Sequence, residues 1–187
     1  MALPRRIEGY AIVSREGMIC TADRVFPAEL KNEADQRFFH DGVGRADAVA
    51  NGRHSNEGGP HADERPRLVL TRRIAALAPH PSHPKAMLWN PMGASLAQAW
   101  DALEVDGTLA VVGGTDVFGL FLAIGYDAFY LTRTEVSVPR GRAVFPGVGT
   151  RGATPEEIMD KNGLVLRGTR MLDEAVNCRV EEWGPKA

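Results

Sequence analysis

A strand-like run that ends in two glycines is the clearest candidate for chemistry in this sequence. The segment VVGGTDVFGLFL, Val111 to Leu122, places Gly113 and Gly114 between an apolar run and a helix-like run. Such a turn leaves unpaired backbone N–H groups and the positive end of a helix dipole facing a ligand, which suits a cofactor's phosphates. A tight turn that needs glycine only for its backbone angles gives the same pattern. Alone, the segment leaves both interpretations open.

Two further strand ends carry groups that suit a phosphate. The set comprises Gly52, Arg53, His54 and Ser55 in VANGRHS, and Thr71, Arg72 and Arg73 in LVLTRR. A guanidinium beside a hydroxyl and an imidazole is a good set of partners for a phosphate monoester. Each cluster alone is more often a solvated loop with a surface arginine, but three such strand ends in one small sheet favour a nucleotide site.

Alternating strand-like and helix-like segments predict the elements that position these groups. We predict strands at 7–14, 46–51, 67–71, 86–89, 108–112 and 128–134, and helices at 30–44, 95–105 and 116–124. Asn32 and Ser95 are predicted caps, and Thr154 opens a short helix through a capping box with Glu157. The proline-rich stretch 78–85 is predicted as a surface loop. Strands at 164–171 and 176–183 should pair antiparallel, after an otherwise mostly parallel sheet with helices on both faces.

Length and composition narrow the classes of protein. The 187 residues are 44% hydrophobic and 25% charged, which predicts one globular domain over 1–187. A net charge of −2 argues against nucleic acid or an anionic membrane as partner, and no run is long enough for a membrane span. We therefore expect a cytoplasmic protein, and the oligomeric state stays open between monomer and homodimer.

The cysteines and histidines predict no metal site. Cys20 and Cys178 lie far apart at no zinc or redox spacing, so both are expected to be reduced thiols, buried by default. The histidines lack cysteine or acidic partners at ligand spacing, and solvated loop positions are expected for most of them. They are His40, His54, His61, His80 and His83.

The order of these segments resembles dihydrofolate reductase and the related reductase domain of bacterial riboflavin biosynthesis. YAIVSREGMI is similar to the family's first strand and turn, GRHS to its Gly-Arg-x-Thr/Ser element, and VGGTDVF to its Gly-Gly element. FYLTRTEV followed by AVFPGV resembles the later strand with its inward threonine, here Thr132. The resemblance covers most of the chain. It implies a three-layer α/β fold, a reversed last strand and a cis peptide bond between Gly113 and Gly114.

The resemblance implies NADPH as the cofactor. The residues expected to bind it are Gly52, Arg53, His54, Ser55, Thr71, Arg72, Gly113, Gly114, Thr115, Asp116 and Val117. NADPH is favoured over NADH because Arg53, Ser55, Thr71 and Arg72 offer the groups that a 2′-phosphate needs.

Reduction of a pterin or aminopyrimidine C=N also needs a proton, which a buried carboxylate can help to supply. Asp35 in EADQRFFH resembles the family's acidic residue early in the first helix, with Glu33 as the fallback. Phe39, one turn later, would pack against a flat ring, and Thr132 is the other expected substrate contact. The alternative is that Asp35 faces solvent in a helix's first turn, where the dipole favours an acid.

The sequence departs from the family's pattern in three places. Val25-Phe26-Pro27 lies where the family's gating loop has Trp-Pro, Asn56-Glu57 follows GRHS, and Thr115-Asp116 follows the glycine pair in place of a third glycine.

The leading hypothesis is an NADPH-dependent reductase of a flat heterocycle or a related imine or carbonyl. The alternatives are the aminopyrimidine reductase of riboflavin biosynthesis and an NADP-binding protein without turnover. A Rossmann dehydrogenase is disfavoured because its G-x-G-x-x-G should follow the first strand, and here the glycine turn comes late.

Overall fold

The computed structural model describes residues 2–55 and 62–186, so the predicted polar loop at 56–60 and His61 lie outside the described residues. The strands are β1 Arg6–Val13, β2 Met18–Cys20, β3 Ala48–Gly52, β4 Arg67–Leu70, β5 Leu77–Pro79, β6 Ala86–Trp89, β7 Thr108–Val111, β8 Ala128–Arg133, β9 Arg142–Ala143, β10 Leu164–Asp173 and β11 Cys178–Pro185. The α-helices are α1 Glu33–Gly44, α2 Leu96–Asp101, α3 Thr115–Ile124 and α4 Pro155–Lys161.

The main sheet is mostly parallel, as the alternation of segments predicts. In the described part of the chain its strand order is β10-β11-β8-β1-β7-β3-β4-β6-β5. Strand β1 pairs parallel with both β7 and β8, and the parallel pairing continues through β3, β4 and β6. Strand β11 is antiparallel to β8 and to β10, which confirms the reversed last strand. The parallel carboxyl ends therefore share one edge of the sheet.

Helices cover both faces of this sheet, which confirms the three-layer α/β arrangement. On one face, Val43 of α1 packs with Tyr10 and Val49 from the sheet. On the other face, α2, α3 and α4 contribute to the larger core through Trp100, Phe118, Phe121 and Met159. The aromatic rings on this side interlock, since Phe118 packs edge-to-face on Phe129 with ring centroids 5.4 Å apart.

The predicted caps are confirmed, and they explain where the helices begin. The side chain of Asn32 accepts hydrogen bonds from the backbone of Ala34 and Asp35, so α1 begins at Glu33 rather than at residue 30. Residues 28–30 form a separate 3-10 turn. Ser95 and Thr154 each complete a capping box. Helix α2 ends at Asp101, short of the predicted residue 105, because the chain turns and Glu104 adopts a φ of 54°.

Two further predicted boundaries are wrong. The stretch 78–85 is not loop throughout, because β5, Leu77–Pro79, pairs antiparallel with β6. As the terminal strand of the sheet, β5 tolerates a proline that has no N–H to donate. The last strand begins at Cys178 rather than at residue 176, because 174–176 form a 3-10 turn that ends at Asn177 with a φ of 50°.

A small second sheet, not predicted from the sequence, pairs β2 with β9. Glu16, in the turn before β2, connects the small sheet to Ser137 and Val138, which follow β8 in the chain. Its carboxylate accepts from the hydroxyls of Ser14 (2.8 Å) and Ser137 (2.6 Å) and from the Val138 N–H (2.9 Å). Desolvation raises the pKa of Glu16, but these hydrogen bonds outweigh it and lower the pKa to about 2.

We expect Glu16→Gln to lower the free energy of unfolding by about 1 kcal/mol at pH 7, a small effect because solvent screens the exposed carboxylate. The folded pKa lies below the unfolded one, so this stabilisation is present above pH 4.5 and is lost as the pH falls towards 2. Urea unfolding at pH 7 and pH 3 measures it. The exposed Glu29, replaced by Gln, is the control, and an equal loss in both variants would contradict a specific role for Glu16.

None of the helices in the described ranges is both long and apolar enough to cross a membrane.

Candidate functional site

A cleft of about 920 Å³ opens along the shared carboxyl edge of the parallel strands. Residues at or just beyond the ends of β1, β3, β4, β6, β7 and β8 line it, together with one side of α1 and the start of α3. Ligands bind at this edge in open parallel sheets because the loops and helix N-termini converge there.

The cleft brings together the site residues that the sequence predicts. Those that line it are Asp35, Phe39, Gly52, Arg53, His54, Ser55, Thr71, Arg72, Gly114, Thr115, Asp116, Val117 and Thr132. Gly113 does not line it. A Cβ on Gly113 would lie 2.8 Å from the ring of Phe118, so this glycine packs against the core beneath the cleft.

The glycine turn faces open space at the start of α3. The peptide bond between Gly113 and Gly114 is cis, as the resemblance implies. The N–H of Gly52 donates to the Gly113 carbonyl at 2.7 Å, which joins the ends of β3 and β7. A Cβ added to Gly114 would lie 3.6 Å from Ser55 Oγ and 3.8 Å from Ile19 Cδ1. Because Gly114 is the N-cap and has no side chain, the first N–H groups of α3 remain available for an anion.

One end of the cleft is strongly basic. The guanidinium of Arg53 lies 2.7 Å from Nε2 of His54, and its charge, with burial and the charges of Arg24 and Arg73, lowers the pKa of His54. Arg72 faces Asp116 across the mouth, with 3.9 Å between guanidinium nitrogen and carboxylate oxygen. This end can hold phosphate groups by charge-assisted hydrogen bonds.

The other end of the cleft contains a buried acid. Asp35 is only 8% exposed, so the alternative of a solvent-facing acid is wrong. Burial raises the pKa of Asp35 to about 6, against the opposing effects of a hydrogen bond from the Thr132 side chain and the charge of His40. The fallback Glu33 has a 92% exposed side chain 3.8 Å from Arg37 and does not line the cleft.

Aromatic rings form the wall beside Asp35. Phe39 packs edge-to-face on Tyr10, with ring centroids 6.2 Å apart, and Phe38 packs in the same way on Tyr130 at 5.5 Å. Tyr10 and Tyr130 stack at 5.0 Å. Both phenylalanines line the cleft while packing on the core, so they offer a rigid apolar surface to a flat ligand.

Several lining residues were not predicted. They include Ile19 and Cys20 on β2, Arg24 in the turn after it, Lys31 just before α1, and Arg142 on β9. Arg142 reaches the cleft because β9 pairs with β2, where it lies opposite Cys20. No local sequence pattern predicts that pairing, since β2 and β9 are only three and two residues long.

The two cysteines are free thiols. Cys178 is fully buried, and burial together with the charges of Asp35 and Asp173 raises its pKa to about 11. Cys20 is partly exposed in the cleft, so the expected burial is wrong for it. Of the histidines, His40 and His54 line the cleft, while the rings of His80 and His83 lie 4.6 Å apart on the loop before β6.

The strand order, the reversed β11 and the cleft between the glycine turn and α1 together define a dihydrofolate reductase-like α/β fold. Many solved structures share it, and two of them illustrate the match. A dihydrofolate reductase from Enterococcus faecalis, complexed with NADP(H) and RAB-propyl, aligns over 100% of both chains with a TM-score of 0.66 and 17% identity.

The second is a diaminohydroxyphosphoribosylaminopyrimidine deaminase/5-amino-6-(5-phosphoribosylamino)uracil reductase from Thermotoga maritima, with a TM-score of 0.61 and 15% identity. The alignment covers 98% of this chain and 57% of that protein, so this chain spans little more than half of its length. No protein-family model matches the sequence, and no curated protein matches it either. At these identities the comparisons establish the fold of the chain: it is that of dihydrofolate reductase.

Proposed function

We propose that this protein is an NADPH-dependent reductase that transfers a hydride to a C=N or C=O bond of a pteridine- or aminopyrimidine-type substrate. One observation carries the proposal. A buried acid with a raised pKa, Asp35, faces the same cleft as a glycine turn and a basic mouth. A perturbed carboxyl in a cleft with a separate anion site is the arrangement that coupled hydride and proton transfer requires.

The residues at the basic end fit a dinucleotide phosphate. Gly114 leaves the space above the start of α3 clear, so a diphosphate can reach the first N–H groups of that helix. Arg53, Ser55, Thr71 and Arg72 are the proposed partners of the 2′-phosphate. When bound, the reduced nicotinamide supplies the hydride, and every other requirement falls on the protein's own side chains.

Asp35 is the proposed catalytic residue. With a pKa of about 6, roughly half of the carboxyl holds a proton at pH 6 and about a tenth does at pH 7, and Thr132 donates a hydrogen bond to it. In this role the carboxyl binds the polar edge of a flat ring and helps protonate the nitrogen or oxygen next to the carbon that accepts the hydride. Phe39 would hold the face of that ring and exclude water.

A second substrate assignment is 5-amino-6-(5-phosphoribosylamino)uracil, which names the reductase activity of the Thermotoga maritima structure. The observation that favours it is the presence of Lys31 and Arg142 in the cleft, because the substrate's phosphate needs its own basic contact.

A third candidate is an NADP-binding protein without turnover. It is motivated by the departure at 25–27, where the resembling family's gating loop carries Trp-Pro.

Cofactor titration followed by turnover separates these functions. NADPH and NADH are titrated into the purified protein, and oxidation of NADPH is then followed by nicotinamide absorbance with dihydrofolate and with the aminopyrimidine. We expect NADPH to bind more tightly than NADH and to be oxidised by one of the two substrates. Tight binding without oxidation would favour the binding protein, and failure to bind either cofactor would contradict every function proposed above.

The preference for NADPH is expected to depend on Arg53. Replacing Arg53 with Gln should weaken NADPH binding about 10-fold and leave NADH binding nearly unchanged, because only NADPH carries the 2′-phosphate. Calorimetric titration of both cofactors measures the ratio. Arg37→Gln, on the exposed face of α1, is the matched control. Equal weakening of both cofactors would remove Arg53 from the 2′-phosphate site.

A further inference from the structure

A tight turn after β2 presents an arginine to the cleft. The Thr21 N–H donates to the Val25 carbonyl at 2.9 Å, and the Arg24 N–H donates to the Thr21 carbonyl at 3.0 Å. The Thr21 hydroxyl accepts from the Val25 N–H at 3.1 Å and closes the turn from the other side. Arg24 itself has a φ of 66°, a left-handed conformation that is uncommon for an arginine.

This turn begins beside the glycine turn. Ile19 of β2 is one of the two side chains nearest to the open position above Gly114, at 3.8 Å, and the other is Ser55 at 3.6 Å. A Cβ on Gly52 would also lie 3.7 Å from the Gly114 backbone nitrogen. Strand β2, the turn after β3 and the start of α3 therefore meet at one point in the cleft.

Arg24 acts electrostatically on groups at that meeting point. Its charge, with the larger effects of Arg53 and burial, lowers the pKa of His54, and it also opposes the rise that burial causes in the pKa of Cys20. The Arg24 side chain is exposed and lines the cleft. Arg24 therefore shares the cleft with His54 and Cys20 and lies close enough to both to act on them.

The same segment exposes apolar side chains beside the cleft. Val25 is 60% exposed and Phe26 is 44% exposed, and Phe26 lines the cleft. Large apolar groups at a cleft mouth gain from being covered by a ligand. A ligand that Arg24 binds would lie against this apolar surface.

The local charges indicate which ligand group Arg24 would meet. Asp116 lies in the first turn of α3, where it opposes an anion, and Arg72 lies 3.9 Å from it. An anion over this helix start therefore needs a further cation, and Arg24, in the turn that follows Ile19 and Cys20, lines the same cleft. We propose that Arg24 binds the diphosphate of the nicotinamide cofactor, so that the turn at 21–25 and the start of α3 hold that group from two sides. The inference rests on the proposed function only in requiring a nicotinamide dinucleotide in the cleft.

The test compares the affinities of NADPH and NADH in three variants. Arg24→Gln removes the charge, and Arg24→Gly removes it while keeping a residue that tolerates the left-handed backbone. Arg140→Gln is the matched control, because Arg140 is also an exposed arginine with a positive φ, 56°, and does not line the cleft. Both Arg24 variants should weaken NADPH and NADH alike, about 10-fold, since both cofactors carry the diphosphate. The Arg140 variant should bind both as the wild type does.

Three results would overturn this assignment. Unchanged affinity for both cofactors removes Arg24 from the site. A loss confined to NADPH would place Arg24 at the 2′-phosphate instead. A raised KM for a phosphorylated substrate with unchanged cofactor affinity would assign it to that substrate.

The outcome is separable from that of the proposed function. If the wild type binds NADPH without any turnover and Arg24→Gln weakens that binding, the reductase proposal fails and the role of Arg24 stands. If turnover occurs and the Arg24 variants bind both cofactors normally, the role of Arg24 fails alone. If the wild type binds neither cofactor, both proposals fall.

Discussion

Asp35→Asn lowers kcat by about 10²–10⁴-fold and leaves NADPH affinity unchanged, if Asp35 supplies the proton that accompanies hydride transfer. The asparagine keeps the size and much of the hydrogen bonding of the acid but has no proton to give. Asp35 lies beside Thr132 of β8, whereas Arg53 follows β3, three strands away in the sheet, so the cofactor's phosphates would not sense the change. Steady-state rates and NADPH titration on the same preparation measure the two effects. An unchanged rate would remove Asp35 from the catalytic role.

The raised pKa gives this prediction a pH dependence. Because the Asp35 carboxyl titrates at about 6 in the folded protein, wild-type turnover should be level below pH 6 and fall about tenfold per pH unit above it. A rate that instead rises with pH through this range would contradict a proton-donating role.

The same substitution should stabilise the fold. The folded pKa of Asp35, about 6, exceeds the ordinary value of 3.8, so ionising this carboxyl destabilises the folded state. The protein is free of this destabilisation below pH 3.8, and it is complete once the pH has risen through 6. At pH 7 we expect Asp35→Asn to raise the free energy of unfolding by about 1–3 kcal/mol, a gain that vanishes near pH 3.5. Urea unfolding at the two pH values measures it. Glu33→Gln, at a 92% exposed position two residues away, is the control and should change neither stability nor turnover.

Adding a methyl group to Gly114 should weaken NADPH binding by about 10- to 100-fold. A Cβ there meets no protein atom closer than 3.6 Å and φ is −85°, so the folded chain can accommodate it. It would, however, occupy the space that we assign to the diphosphate. Titration of Gly114→Ala with NADPH, beside its thermal unfolding, measures the effect.

The neighbouring Gly113 provides the contrast. Its φ is 102° and an added Cβ would lie 2.8 Å from the Phe118 ring, so Gly113→Ala should lose about 2–5 kcal/mol of stability. If Gly114→Ala bound NADPH as tightly as the wild type, the space above Gly114 would not be the diphosphate site. If it lost as much stability as Gly113→Ala, its weak binding would say nothing specific about the cofactor.

The glycine turn and the basic strand ends could be located from sequence because their signals are local. An apolar run followed by two glycines defines the end of β7, and GRHS defines the end of β3 in the same way. Once the alternation predicts a parallel sheet, these ends must share one edge. The cleft that joins Arg53, Thr71 and Gly114 follows from that argument.

The burial of Asp35 and the position of the turn at 21–25 could not be derived from local signals. Whether Asp35 is buried depends on how α1 packs over β8, which brings Thr132 to its carboxyl and is a long-range contact. Arg24 is a single arginine in a loop, and its position depends on β2 pairing with β9, across more than a hundred residues. The strand at 77–79 was missed for the same reason. Its proline-rich sequence does not predict a strand, and it is one because it pairs with β6.

A crystal structure of the protein with NADP⁺ bound tests the central claim most directly. We expect the diphosphate above Gly114 and the start of α3, the 2′-phosphate beside Arg53, and nicotinamide C4 facing the pocket that contains Asp35 and Phe39. A cofactor bound elsewhere, or bound with its nicotinamide turned away from Asp35 towards solvent, would contradict the assignment of this cleft to hydride transfer.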